Sequence, residues 1–183
     1  MNPATRTKTE IFKASLRNGF QFSFGYDTST ETYKVVAFCI EEKHGNATSL
    51  VKVFSLGENT WRNIQCFPAP PLHWFHRKKN DGVYLSGTIN WLALHNHYNS
   101  NYHFRWDYDR ATIEQYVIVS LDLSTETYTQ LSLPRGFDVV PRVQPKLVVM
   151  MDCLFLGHDF KNTHFVIWKM MDFGVQESWI QLF

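Results

Sequence analysis

The stretch Asp27–Tyr33 reads Asp-Thr-Ser-Thr-Glu-Thr-Tyr, and Asp122–Tyr128 repeats it as Asp-Leu-Ser-Thr-Glu-Thr-Tyr. Asp, Ser and Thr favour turns because their side chains hydrogen-bond to nearby backbone, whereas Tyr, Val and Thr suit a pleated strand. Each copy lies between apolar runs, so both predict a strand–turn–strand unit. Ser55–Trp61 is a looser third copy, and Asp172–Trp179, one residue longer, is a fourth. A chain that keeps making such hairpins predicts a repetitive all-β array.

Spacing groups the predicted strands into three blocks of four, at about residues 20–64, 82–134 and 146–183. Short apolar strands separated by Gly, Asp and Asn favour β structure, and no stretch keeps a helical apolar stripe for three turns. A polar loop is predicted from Glu41 to Ser49 within the first block. Tandem four-stranded blocks are typical of propeller blades, and closed propellers have about four to eight. We therefore expect a single domain over residues 1–183, an incomplete propeller-like array of about three antiparallel blades.

Aromatic side chains supply the predicted core, since they make up 16% of the 183 residues, more than a disordered chain would carry. Trp61 and Trp179 each open a fourth strand and are predicted to pack between blades. His158, in Gly157-His158-Asp159, is expected to stabilise a turn through a buried hydrogen bond, because this triplet is similar to turn motifs of other propellers. The aromatic residues predicted to be core are Trp61, Trp91, Tyr128, Trp168 and Trp179.

Charge and cysteine content argue against a nucleic-acid-binding, membrane or secreted protein. The formal charge is +1, with 18 Lys and Arg against 17 Asp and Glu, which argues against a nucleic-acid or polybasic membrane surface. No apolar run reaches the roughly 18 residues of a membrane span, and the first residues hold no signal-peptide core. Cys39, Cys66 and Cys153 are odd in number and widely spaced, which favours a reducing compartment. We expect a cytoplasmic or nuclear protein that binds neither nucleic acid nor membrane.

The sequence lacks the serine-nucleophile and phosphate-binding motifs that would indicate an enzyme. Gly-x-Ser-x-Gly does not occur, and Ser86-Gly87 is predicted to form an ordinary hairpin turn. Glu41 and Glu42 are interpreted as solubilising loop residues, and no glycine-rich phosphate-binding loop is present. We expect no enzymatic activity, no catalytic residue and no cofactor.

The histidines offer one metal hypothesis. His95 and His97 would face the same side of a strand, and His103 could complete a zinc site. His73 and His76 form a second pair. Because no Cys, Asp or Glu accompanies them at a recurring spacing, we interpret them as solvated loop histidines and expect no metal.

Two segments are too long for hairpin turns and unusually aromatic: Phe67–Asn80 and Asn96–Tyr108. The first combines Trp, Phe, Arg and Lys, a mixture found on single-stranded nucleic-acid surfaces and in protein-binding hot spots. Because the chain is nearly neutral and this is a single short stretch, we favour a protein partner over a nucleic acid. The second has the Tyr, Asn and Ser of adaptable binding loops, the alternative being a loop that folds over its own blade. The predicted partner-binding residues are Trp74, Arg77, Tyr102 and Trp106.

An ordered series of short motifs runs along nearly the whole chain: Asn2–Arg6, Phe24–Asp27, Tyr33–Val36, Val53–Leu56, Asn59–Arg62, Gly82–Leu92, Ser120–Leu123, Leu131–Pro134, Ile167–Met170 and Val175–Trp179. The series resembles the F-box-associated domain of plant F-box and F-box/kelch-repeat proteins. This resemblance implies a kelch-like β domain that captures a target protein for ubiquitination. In that family an F-box joins the chain to the cullin adaptor of an SCF-type ubiquitin ligase.

The sequence thus predicts the substrate-recognition domain of an SCF-type ubiquitin ligase. No F-box segment precedes Asn2, so we expect a fragment that meets the cullin adaptor only if an F-box is encoded upstream. Two alternatives stay open. One is a truncated, non-functional product, and the other is a carbohydrate-active propeller enzyme, which would need inward-facing carboxylates.

Overall fold

The computed structural model of the chain describes residues 19–43, 46–72, 82–95 and 112–183. In these described residues, twelve strands form three four-stranded antiparallel sheets, each with its strands in chain order. The first sheet contains β1 (Gln21–Asp27), β2 (Thr32–Lys43), β3 (Asn46–Ser55) and β4 (Thr60–Ile64). The second contains β5 (Val83–Leu85), β6 (Thr88–Leu94), β7 (Tyr116–Asp122) and β8 (Tyr128–Leu131). The third contains β9 (Lys146–Met150), β10 (Cys153–Phe160), β11 (His164–Met170) and β12 (Trp179–Gln181).

The predicted all-β class and the three four-stranded blocks are confirmed. The helical elements of the described residues are single turns of 3₁₀-helix, at Ile113–Gln115 and Gln176–Ser178. Strand β5 contacts both β1 and β9, so the first strands of the three sheets run beside one another. Neighbouring blades of a propeller that is not closed are arranged in this way. In the part of the chain that is described, no helix is long and apolar enough to cross a bilayer.

The predicted polar loop from Glu41 to Ser49 is wrong. Strands β2 and β3 pair without interruption as far as Lys43 and Asn46. Buried residues such as Val36 and Val53 set the register of the β2–β3 pair. Once the register is set, backbone pairing continues into the polar part of the sequence.

The core lies on both faces of the second sheet. Ile89, Trp91 and Ala93 project from β6 toward the first sheet, where they meet Val36 and Phe38. The alternate side chains of the same strand point the other way because side chains alternate along a strand. They pack against the third sheet in a second cluster that includes Leu92, Leu94, Leu154, Leu156, Trp168 and Trp179.

Four of the five aromatic residues predicted to be core belong to these clusters. Trp91, Trp168 and Trp179 are buried, and Tyr128 packs against the first cluster while its hydroxyl donates to the Gln65 carbonyl. The prediction for Trp61 is wrong. Its ring is only half-buried and leans on Phe54, its cross-strand neighbour.

The repeated turns have a common backbone. Glu31 and Glu126, in the fifth position of the two close copies, adopt φ of 51° and 55°, and Asn59 of the third copy has φ of 55°. The Asp at the head of each close copy accepts a hydrogen bond from the backbone N–H two residues later. The fourth copy, Asp172–Trp179, differs: it contains the 3₁₀ turn and a left-handed Gly174. The strand–turn–strand prediction is confirmed for both close copies.

The two close copies meet in space at the junction of the first and second sheets. Ser124 Oγ donates to Ser29 Oγ at 2.8 Å, although the residues are 95 positions apart. Gly25 permits this approach, since a Cβ there would come within 2.5 Å of Leu123 Cδ1 and 2.8 Å of the Tyr84 ring. The sequence repeat therefore builds a contact between neighbouring sheets.

A buried ion cluster fills the same junction. The Lys34 ammonium lies 3.0 Å from Asp27 Oδ2 and 3.2 Å from Glu126 Oε1, and it donates to the Leu123 carbonyl. The Lys34 and Asp27 side chains are 5% and 0% exposed. Burial alone would raise the pKa of Asp27, but hydrogen bonds from Ser29, Thr30 and Lys34 hold it well below its ordinary value. Arg62 extends the cluster by pairing with both Glu126 and Glu58.

Candidate functional site

A groove lies at the junction between the second and third sheets. Its two cavities have volumes of about 440 and 240 Å³, and Arg135 and Gln176 line both. We call it the interblade groove. It is lined by His95, Ile113, Glu114, Tyr116, Val117, Gln130, Ser132, Leu133, Pro134, Arg135, Gly136, Phe137, Trp168, Gln176, Glu177 and Trp179.

The segment that follows β8 forms one wall of the interblade groove. Phe137 is 2% exposed, and its ring packs edge-on against Tyr116 at 5.4 Å and against His158 at 4.8 Å. Gly136 lies over the Trp168 indole, where a Cβ would come within 2.5 Å of the ring. The wall therefore follows the surface of the third sheet closely.

The fourth repeat copy forms the opposite wall. Trp179 Nε1 donates to the Ser132 carbonyl at 3.1 Å, and Gln176 Nε2 donates to the Leu133 carbonyl at 2.8 Å. These two bonds cross from the third sheet to the chain leaving the second. They hold the side chains that line the groove in fixed positions.

His158 lies beneath the groove. The prediction that it stabilises a turn is wrong, because His158 is within β10, but its buried hydrogen bonding is observed. Trp168 Nε1 donates to His158 Nε2 at 3.3 Å, and Nδ1 lies 3.1 Å from the Asp159 carbonyl. This pattern requires a neutral imidazole with its proton on Nδ1. Burial lowers the pKa of His158 below its ordinary value.

The mouth of the groove carries opposite charges. Arg135 and Glu177 are 2.9 Å apart and mostly exposed. A hydrogen bond from the Thr112 side chain lowers the pKa of the exposed Glu114. At the base, burial raises the pKa of Tyr116 above its ordinary value, which keeps the phenol neutral. The rim therefore offers both a cation and anions, and the floor is aromatic.

The four predicted partner-binding residues, Trp74, Arg77, Tyr102 and Trp106, lie outside the described residues, as do four of the five histidines of the metal hypothesis. Within the described part, no group of three or more His, Cys, Asp or Glu is placed to hold a metal ion.

Leu72, in the first predicted binding segment, and His95, which precedes the second, both lie beside strand β6 or at its end. Leu72 N–H donates to the Leu92 carbonyl, and His95, which follows β6, donates to the Gln115 carbonyl. Leu92 and His95 are three residues apart, about 10 Å along a strand. His95 lines the interblade groove.

The first part of the Phe67–Asn80 segment is not an exposed loop, which corrects the sequence interpretation. Phe67, Ala69 and Leu72 are buried, and Pro71 forms a β-bridge with Ala93. This stretch continues the edge of the second sheet because β5 is only three residues long and leaves the rest of β6 uncovered. Phe67, the aromatic residue of this described stretch, packs against Trp91 in the first core cluster.

The sequence interpretation did not find the interblade groove. The one sequence feature that points to the groove is the fourth repeat copy, which supplies Gln176, Glu177 and Trp179 to its lining. Arg135 and Gly136 stand in a connecting segment without a motif. Chemically, the groove combines two cavities that have aromatic floors, polar rims and a shared wall.

Comparison with known proteins gives one family. The whole chain, residues 1–183, matches the family described as the F-box associated beta propeller domain. No solved structure matches the chain significantly.

Three curated relatives, all from Arabidopsis thaliana, are similar at modest identity. F-box/kelch-repeat protein At3g23880 is 27% identical over 190 residues, covering 99% of this chain and 45% of the relative. F-box protein CPR1 is 24% identical over 203 residues, covering 100% and 46%. Putative F-box protein At1g46840 is 24% identical over 141 residues, covering 75% and 26%. The chain thus spans less than half the length of the curated relatives it matches.

Proposed function

The chain belongs to the F-box-associated β-propeller family, and we propose that it is the target-recognition domain of an F-box subunit of an SCF-type ubiquitin ligase. The observation that carries the proposal is the family match over all 183 residues, together with relatives named as F-box proteins. In this role the sheets are a scaffold, and the chain recognises a protein that the ligase then ubiquitinates. We propose that it acts in the cytoplasm or nucleus and performs no catalysis itself.

We propose that the interblade groove receives an extended segment of the target. Its two cavities share Arg135 and Gln176, so two side chains of one segment could enter them while the backbone crosses the shared wall. The aromatic floor favours apolar side chains there, and buried aromatic contacts dominate the affinity of many interfaces. Arg135 and Glu177 at the mouth would add charge selectivity.

Trp74, Arg77, Tyr102 and Trp106 are proposed to extend this surface. The supporting observation is that Leu72, in the first segment, donates a hydrogen bond to Leu92 of β6, and that His95, which directly precedes the second segment, lines the groove. Long segments on a rigid scaffold are where binding residues concentrate.

The test fuses an F-box to the N-terminus of the 183-residue chain and expresses the fusion in plant cells. Quantitative proteomics, with and without proteasome inhibition, identifies proteins whose abundance falls and whose ubiquitination rises. We expect a small set of such proteins with the native chain.

Variants then separate the groove from the loops. Arg135→Ala and the fourfold loop variant Trp74→Ala, Arg77→Ala, Tyr102→Ala, Trp106→Ala should both restore target abundance. Arg142→Ala, an exposed arginine outside the groove, is the matched control and should change nothing. The proposal fails if no protein responds to the native fusion, and the site assignment fails if targets respond equally to all variants while circular dichroism shows native β structure.

A further inference from the structure

One buried histidine lies beneath both cavities of the interblade groove. His158 is 1% exposed, and it contacts an aromatic ring from each cavity. Trp168 lines the smaller cavity and donates to His158 Nε2 at 3.3 Å. Phe137 lines the larger cavity and packs edge-on against the imidazole at 4.8 Å. The two cavities are therefore joined through a single side chain.

These rings come from different parts of the fold. His158 is on β10 and Trp168 is on β11, both in the third sheet, whereas Phe137 belongs to the segment that follows β8. Phe137 also meets Tyr116 of β7 edge-on at 5.4 Å, so the row of rings continues into the second sheet. Because closely packed interiors transmit small displacements, a change at the imidazole is passed to both walls of the groove.

Hydrogen bonding fixes the protonation state that this arrangement needs. Trp168 Nε1 can only donate, so His158 Nε2 must accept and carries no proton. Nδ1 lies 3.1 Å from the Asp159 carbonyl, which can only accept, so Nδ1 carries the proton. A second proton would go to Nε2, and the indole N–H and the imidazolium N–H would then face each other as two donors.

Trp168 is the group that a second proton displaces. The Nδ1 bond to the Asp159 carbonyl is the same in the neutral and the protonated ring, so it continues to hold the imidazole. The indole loses its acceptor. Gly136 is packed so closely against the indole that a Cβ there would come within 2.5 Å of the ring. Movement of the indole therefore moves the wall that contains Gly136 and Phe137.

We propose that His158 is a positioning residue for the interblade groove: its neutral ring keeps both cavities in their native arrangement, and its protonation disturbs both together. The groove is then acid-sensitive, and target capture through it weakens as the pH falls. This consequence for target capture rests on the proposed function, whereas the coupling of the two cavities rests on the contacts of His158 alone.

The groups around His158 determine where the change occurs. Burial lowers the pKa of His158, and the nearby His164 acts in the same direction, whereas Asp159 and Asp138 oppose it. Asp159 is on β10, Asp138 is in the segment after β8, and His164 begins β11. Tyr116 stays neutral because burial raises its pKa. The groove should therefore keep its arrangement at neutral pH and change only in acid.

The experiment records NMR spectra of the purified 183-residue chain from about pH 8 to about pH 4, on both sides of the ordinary histidine pKa of about 6.5. The indole N–H signal of Trp168, assigned by its loss in Trp168→Phe, reports on the smaller cavity. The δ-methyl signal of Ile113, assigned by its loss in Ile113→Val, reports on the larger cavity. We expect both signals to shift with the midpoint of the His158 ring proton, below about pH 6.5.

Variants of the two histidines test whether the imidazole is the titrating group. His158→Gln keeps an oxygen that accepts from Trp168 but gains no proton, so both signals should keep their positions at about pH 8 and lose their pH dependence. His158→Leu has no acceptor, so the Trp168 signal should be displaced at every pH. His164→Gln is the matched control, because His164 is exposed and lies outside the groove. It should keep the pH response, with the midpoint raised because a cation near His158 is removed.

The titration of the native chain decides the proposal even if a variant fails to fold. The indole signals of Trp61 and Trp91, which lie outside the groove, are the internal control and should not shift in the same range. If they shift together with Trp168, the chain unfolds as a whole and the groove has no acid response of its own, which overturns the proposal. A His158 titration that Trp168 or Ile113 does not follow also overturns it.

Failure of this proposal can be told apart from failure of the proposed function. The NMR titration uses the chain without any target, so a negative result leaves target recognition by the F-box fusion untouched. A fusion that depletes no protein would contradict the proposed function, and the coupling of the two cavities would still be decided by the titration.

Discussion

Lys34 holds the first junction together because it neutralises two carboxylates that belong to different sheets. Asp27 is on the first sheet with Lys34, and Glu126 is on the second. Removing one partner of a buried pair leaves an uncompensated charge and costs about 3–5 kcal/mol, whereas an exposed pair contributes about 0–1 kcal/mol.

We therefore predict that Lys34→Met lowers the free energy of unfolding by about 3–5 kcal/mol, measured by urea denaturation followed by circular dichroism. Arg135→Met is the control, since Arg135 and Glu177 form a mostly exposed pair, and it should cost less than about 1 kcal/mol. Equal losses in the two variants would show that the cluster is not buried in solution.

His158 predicts a pH dependence of stability. Its pKa is lowered in the folded chain, and burial is the largest cause. The unfolded chain therefore binds a proton at a higher pH than the folded chain does. The stabilisation is therefore fully present above the unfolded value of about 6.5 and is lost as pH falls from there through the folded pKa. Asp138, Asp159 and His164 are the charged neighbours that modulate the pKa.

The measurement is the urea midpoint between pH 8 and pH 5, which should fall below about pH 6.5. His158→Gln, whose side-chain oxygen can still accept from Trp168, should flatten this part of the profile. A second decline below about pH 4 is expected from Asp27, whose pKa is also lowered and whose contribution is lost when it is protonated. A native profile that is level from pH 8 to pH 5 would contradict the role of His158.

At the scale of the element, β4 and β12 occupy equivalent places as fourth strands but differ in burial. Trp179 of β12 is 7% exposed and joins the second core cluster. Trp61 of β4 leans on Phe54 at the edge of the first sheet. The second sheet and the segment that leaves it cover Trp179, whereas Trp61 lies at the edge of the first sheet and is only half-buried.

We predict that Trp179→Ala costs about 3–5 kcal/mol, as large-to-small changes in a core do, and that Trp61→Ala costs about 1–2 kcal/mol. Thermal melts of the two variants under identical conditions compare them directly. Should Trp61→Ala prove the more damaging change, the assignment of the core to the second sheet's two faces would be wrong.

For the whole molecule, the match to the F-box associated beta propeller domain covers residues 1–183. We predict that this 183-residue chain does not bind the cullin adaptor by itself, because the F-box makes that contact in the family. A pull-down with purified components should recover adaptor only when an F-box is fused to the chain. Stoichiometric binding of adaptor to the unfused chain would contradict the prediction.

Strand positions were predictable because turn chemistry and apolar runs are local. The Asp-x-Ser-Thr-Glu-Thr-Tyr copies mark their turns, and the left-handed residue in each follows from that turn. The length of the β2–β3 hairpin was missed because pairing between polar residues leaves no apolar pattern. The burial of Phe67, Ala69 and Leu72 was missed because aromatic and proline residues suit a binding loop as well as a sheet edge.

The sequence by itself determined the class, the three blocks, the two close strand–turn–strand copies and the family, since each depends on residues close together in the chain or on an ordered series of motifs. Only the tertiary structure decided that Ser29 meets Ser124, that Lys34 pairs with Glu126, and that the fourth repeat copy lines a groove with Arg135. These contacts join residues about 40 to 95 positions apart. They depend on how whole sheets stack, and sheet stacking is set by the summed fit of many side chains rather than by any local pattern.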